Sequence, residues 1–86
     1  MGSVFGPVWL PDMRALPKDE RKRVAAIVRS IEADPQPDGA HKRPAPSPFK
    51  SGTFVALYSG LAVRYAIEAA GLRFYRVQRI ERRSDR

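Results

Sequence analysis

The apolar and polar positions divide the chain into a helical first half and a sheet-forming second half. Val24, Ile27, Val28 and Ile31 recur at i, i+3, i+4 and i+7, which places them on one face of a helix. Leu16 extends that face, while Arg21, Lys22, Arg23 and Arg29 lie off it and face water. Pro17 suits a first helical position, and Asp19 and Glu20 put negative charge where the helix dipole favours it. Pro35 and Pro37 disfavour continuation, so the helix is predicted to stop near Asp34. Upstream, Val4 to Leu10 is an apolar run interrupted by Gly6-Pro7, which suits an edge strand, with Phe5 and Trp9 packing under the helices or meeting a partner. Asp12 is placed to cap a short helical turn before Pro17.

After Gly52 the period changes to two. Strands are predicted at Thr53–Tyr58, Leu61–Glu68 and Leu72–Ile80, with turns at Ser59-Gly60 and Ala69-Ala70-Gly71. In the middle strand Leu61, Val63, Tyr65 and Ile67 share one face, and Ala62, Arg64, Ala66 and Glu68 share the other. The last strand alternates poorly. Leu72, Phe74 and Ile80 fall on one parity, Tyr75 and Val77 on the other, and arginines on both. Between the helix and these strands, residues 34–52 hold five prolines and two glycines, a loop made basic by Lys42, Arg43 and Lys50. Loops of that length in a small domain are usually functional or disordered. The predicted architecture is one α+β domain over residues 1–86. An N-terminal strand, one or two helices and a three-stranded antiparallel meander form a four-stranded sheet with the helices on one face.

Charge narrows the partners. Sixteen Lys and Arg stand against nine Asp and Glu, giving a net charge of +7. Twelve of the sixteen are Arg, thickening after Tyr58. That balance on a small body favours an anionic partner such as nucleic acid or an acidic protein segment. With no Cys there is no disulfide or thiolate metal site, and His41 alone cannot make a zinc centre; no cofactor is expected. No apolar run approaches the ~20 residues of a membrane span and the N-terminus lacks a signal-peptide core, so the chain reads as cytoplasmic with no membrane partner.

The chemistry left to such a chain is that of arginine, lysine, tyrosine and a few acids. RNA can still be cleaved by that set, because its 2′-hydroxyl is the nucleophile. The protein aligns that hydroxyl with the phosphate and stabilises the phosphorane charge. Arginine does the second task through its planar fork of donors but cannot act as a base. A Lys, Tyr, Glu or His nearby would have to move the proton.

The segments "LPKDERKRVAAIVRSIEADP", "SGLAVRYAIE" and "LRFYRVQRIERR", separated by a basic loop, resemble the RelE/ParE superfamily of toxins from type II toxin–antitoxin systems. The likeness runs from Val4 to Arg83. It implies helices packed against an antiparallel sheet, and an antitoxin as partner. In the RelE branch it implies an endoribonuclease acting on ribosome-bound mRNA; in the ParE branch, a toxin that inhibits DNA gyrase without cleaving RNA. A degenerate, antitoxin-binding member is a third possibility. Carried onto this sequence, the catalytic set is Arg64, Arg83 and Lys50, with Arg79, Arg82, Lys42 and Arg43 binding nucleic acid. Ala62 stands where nuclease members usually hold arginine, and Arg64 projects from the same strand face two residues on. The tyrosine that often follows the final basic pair is missing, since the chain ends Ser84-Asp85-Arg86. Plainer readings exist for each residue: Arg64 paired with Glu68, Arg82 and Arg83 as a solvated tail, Tyr65 and Tyr75 as core or rim aromatics, His41 without a special role.

Overall fold

The computed structural model describes residues 2–45, 52–58 and 60–80. Lys50, Arg82 and Arg83 lie outside the described residues. Within these, the order is β1 (Gly2–Phe5), α1 (Trp9–Arg14), α2 (Lys18–Ala33), β2 (Lys42–Pro44), β3 (Thr53–Tyr58), β4 (Leu61–Glu68) and β5 (Gly71–Arg79). The strands form one mixed sheet in the order β1-β5-β4-β3-β2, with β1 parallel to β5 and every other pair antiparallel. The architecture is α+β, as expected, with five described strands where four were predicted. No helix among the described residues is long and apolar enough to cross a membrane.

Helix α2 starts and stops where its sequence says. Pro17, extended at φ −61° and ψ 160°, is the N-cap, so the helix begins one residue after the predicted start, and Asp34 leaves the helical region at ψ 93°. Val24, Ile27 and Ile31 are buried and Val28 packs against them. They meet Val63 and Tyr65 of β4, Leu72, Phe74 and Val77 of β5, and Trp9 and Leu16. Each fully buried Val, Ile or Phe side chain here contributes about 1.5–3 kcal/mol by leaving water. Gly60, at φ 78°, supplies the left-handed residue of the β3–β4 turn.

Two predictions about the N-terminal segment need correction. The strand is shorter than Val4–Leu10, because β1 ends at Phe5 and α1 already begins at Trp9. The N-cap of α1 is Val8; Asp12 lies inside the helix and its carboxylate points across to β5. Trp9 is buried with its ring tilted against Phe5 and Phe74, which stack on each other, and Phe5 keeps 45% of its surface exposed.

The stretch after α2 is not a loose loop throughout. Asp38 Oδ1 accepts the backbone N–H groups of Ala40 (2.9 Å), His41 (2.8 Å) and Lys42 (2.9 Å), closing a tight turn that leads into β2. These three donors hold the Asp38 carboxyl down at about 2. Lys42 Nζ donates to the Asp34 carbonyl at 2.6 Å, and Tyr65 Oη donates to the Pro35 carbonyl at 2.7 Å. The backbone of residues 34–45 is thereby tied to the end of α2 and to the middle of the sheet. The prolines that suggested disorder leave room for a three-residue strand because Pro44 comes at its end, on the sheet's edge.

Candidate nucleic-acid interface

The two faces of the sheet have different chemistry. Residues of β4 that face the helices, Leu61, Val63 and Tyr65, are fully buried. Alternation then puts Ala62, Arg64 and Ala66 on the opposite face, on which no described helix packs. Register extends this face outwards. Arg43 of β2 lies across from Val55 of β3, Val55 across from Arg64, and Arg64 across from Arg76 of β5. Arg43, Arg64 and Arg76 therefore stand in one row running across the strands. Neighbouring strands are ~4.8 Å apart, so Arg64 and Arg76 are adjacent and Arg43 is two strands away.

A bulge in β5 makes the row. Arg64 pairs with Arg76 but the next residue, Tyr65, pairs with Phe74, so Tyr75 is an extra residue on β5. Before the bulge Leu72 and Phe74 face the core; after it Val77 does. This parity switch explains why the last strand did not alternate in the sequence. Arg73, Tyr75, Arg76 and Gln78 consequently share the open face, and Arg79 lies with Val77 on the helix side.

Each basic side chain has its setting. The Arg64 guanidinium carbon lies 6.0 Å from the centre of the Tyr75 ring, a cation–π distance. Glu68, the partner of Arg64 in the plainer reading, accepts Arg73 Nε at 3.0 Å. Arg76 makes a forked contact with Asp12, through Nε at 3.1 Å and Nη2 at 2.9 Å. This hydrogen-bonded contact, reinforced by the carboxylate's charge, raises the guanidinium further above its usual range. Asp12 Oδ2 also accepts the Val77 backbone N–H at 3.1 Å. Asp12 thus closes the stretch of β5 edge that lies beyond the end of β1. Arg43 is exposed, with Nη2 3.3 Å from the Ala40 carbonyl.

Two predicted site residues fall elsewhere. Lys42 is only 5% exposed, on the helix side, with its ammonium on Asp34. A lysine against the last carbonyls of a helix is favourably placed in its dipole. Arg79 is half exposed and paired with Glu20 of α2 at 2.7 Å. Sequence reasoning did not place Tyr75 and Arg76 together on this face. Their signal was the shift from Leu72 and Phe74 to Val77, which is what an inserted residue does to a period of two.

No protein-family model matches the sequence, and no curated protein does. Solved structures do match in fold. The isolated E. coli RelE toxin aligns over 94% of this chain and 85% of its own, with a TM-score of 0.73 and 16% identity. The RelBE2 toxin–antitoxin complex of Mycobacterium tuberculosis aligns over 90% of this chain and 94% of its matched chain, with a TM-score of 0.75 and 19% identity. The RelB–RelE complex of Methanococcus jannaschii aligns over 88% of each chain, with a TM-score of 0.66 and 13% identity. What is shared at these identities is the fold.

Proposed function

We propose that this chain is a RelE-like toxin that engages mRNA in the ribosome and is held inactive by an antitoxin. The observation that carries the reading is the arginine row, Arg43, Arg64 and Arg76, on the open face of a sheet whose fold is that of RelE toxins. A single strand crossing that face meets guanidinium groups suited to phosphate oxygens at Arg43 and Arg64, beside the Arg76 that Asp12 holds. In the proposed chemistry Arg64 stabilises charge developing on the phosphorane while the 2′-hydroxyl attacks. Arg83 and Lys50 complete the catalytic set. Lys50 carries the proton-transfer role that no guanidinium can fill. Arg43, Arg82 and Arg79 neutralise flanking phosphates, Arg79 from the far edge once it leaves Glu20. Lys42, buried on Asp34, serves to hold the turn that presents Arg43.

The antitoxin is proposed on two grounds. Two of the structural neighbours are toxins solved with their antitoxins. A net charge of +7 gives an acidic partner segment something to cover. A second reading has one observation in its favour. Ala62 lies on the open face opposite Gln78, so the position where nuclease members usually carry arginine offers no donor. The gyrase-directed alternative needs none there. Controlled induction in a bacterial host separates the two: translation arrest with normal supercoiling supports the ribosomal reading, and loss of supercoiling with translation initially intact supports the other.

A further inference from the structure

The bulge leaves two consecutive side chains, Tyr75 and Arg76, on the open face beside Arg64. The other rings of the described residues contact further rings. Phe5, Trp9 and Phe74 pack on one another, Phe54 lies against Tyr65, and Tyr58 stacks on His41 with centroids 4.4 Å apart. Tyr75 is half-buried and lies outside the hydrophobic core. The Arg64 guanidinium lies over its ring at 6.0 Å, and Asp12 fixes the orientation of the guanidinium of Arg76, the next residue along β5. A ring with a guanidinium over one face suits one nucleotide, with the base on the opposite face and the phosphate on the guanidinium.

We propose, on the strength of the RNA-binding reading above, that Tyr75, Arg64 and Arg76 form a single-nucleotide subsite for single-stranded RNA. Tyr75 stacks an unpaired base, and Arg64 contacts the adjoining phosphate. A base inside a duplex has both faces covered by its neighbours, so the subsite discriminates against paired RNA. Stacking tolerates any base, and Tyr75 thereby positions the strand without setting its sequence. Arg76, already bound to Asp12, adds direction to the site more than charge.

Binding of the full-length chain to a labelled single-stranded RNA of about ten nucleotides tests this, beside the matching duplex and an abasic strand of equal length and charge. Tyr75→Leu should weaken binding to the base-bearing strand roughly five- to 150-fold, and Tyr75→Phe should leave it unchanged. On the abasic strand wild type and Tyr75→Leu should bind alike, while Arg64→Ala should weaken both strands. Wild-type protein should also quench 2-aminopurines spaced by uridines, a readout that needs no folded variant. Equal affinity of Tyr75→Leu and wild type for the base-bearing strand, or unquenched 2-aminopurine at saturation, overturns the subsite while salt-sensitive RNA binding survives. Wild-type protein that binds no RNA at any salt overturns the RNA-binding reading and the subsite with it.

Discussion

Replacing Asp12 by alanine tests whether the first helix holds the sheet's edge through one carboxylate. Asp12 is 11% exposed and accepts three N–H groups, two from the Arg76 side chain and one from the Val77 backbone. The contacts differ in value. Arg76 keeps 38% of its side chain in water, so its pairing with Asp12 is screened and contributes little. Val77 is 2% exposed, and its N–H loses its described acceptor when Asp12 is shortened. A buried donor left unmade costs about 1–3 kcal/mol. A domain of this size is stable by roughly 4–13 kcal/mol, so that loss is a sizeable fraction. With a urea slope near ~1 kcal/mol/M the midpoint should fall by about 1–3 M at unchanged slope. Asp12→Asn retains an acceptor for Val77 and should fall much less, and Arg76→Ala, which leaves Asp12 on Val77, should also fall less than Asp12→Ala. Equal losses for Asp12→Ala and Arg76→Ala would show that the ion pair, and not the Val77 amide, dominates.

Three further outcomes follow from the packing. Ile27→Asp should abolish cooperative unfolding, since an unpaired charge at a 6% exposed core position costs several kcal/mol; a melt near the parent's temperature would remove α2 from the core. Tyr65→Phe strands the Pro35 carbonyl and should lower stability by about 1–3 kcal/mol in urea titration. Burial, with nearby Tyr58, Asp38 and Asp34, pushes the Tyr65 phenol up to about 12, so its contribution is intact below pH 10 and lost as pH rises through about 12; ultraviolet titration checks this. Asp38 has the opposite sign. Its folded value of about 2 lies below the ordinary 3.8, so the turn's stabilisation is full above that ordinary value and lost as pH falls through about 2. The Ala40, His41 and Lys42 amide resonances should titrate near the lower value, and a midpoint at the ordinary value would contradict the three-donor turn.

Local periodicity made much of this molecule legible. Strands β3 and β4 lie where alternation put them, and α2 begins one residue after its prediction because a proline started it and two more ended it. Arg64 was placed on the open face by the same alternation. What stayed hidden depended on partners far along the chain. Strand β2 is three residues ending in proline, and it exists because Asp38 folds the preceding turn and β3 offers an edge. Its register sends Lys42 inwards and Arg43 outwards, which two adjacent basic residues in a proline-rich stretch do not reveal. Asp12 was read as a cap because its partner is 65 positions away. Tyr75 and Arg76 were obscured by the bulge, which turned a regular strand into one whose faces seemed mixed.

Arg64, in the middle of the arginine row, is the residue proposed to act on RNA in the ribosome. Primer extension on a message translated in the presence of ribosomes and purified chain tests it most directly, with Arg64→Ala alongside and gyrase supercoiling run in parallel. A donor aimed at charge that develops only in the transition state is worth about 10²–10³ in rate. Wild type should therefore cleave the translated message and leave supercoiling untouched, and Arg64→Ala should lose cleavage by that order with ribosome association largely kept. An intact message in the presence of wild-type protein, with supercoiling blocked, would contradict that proposal.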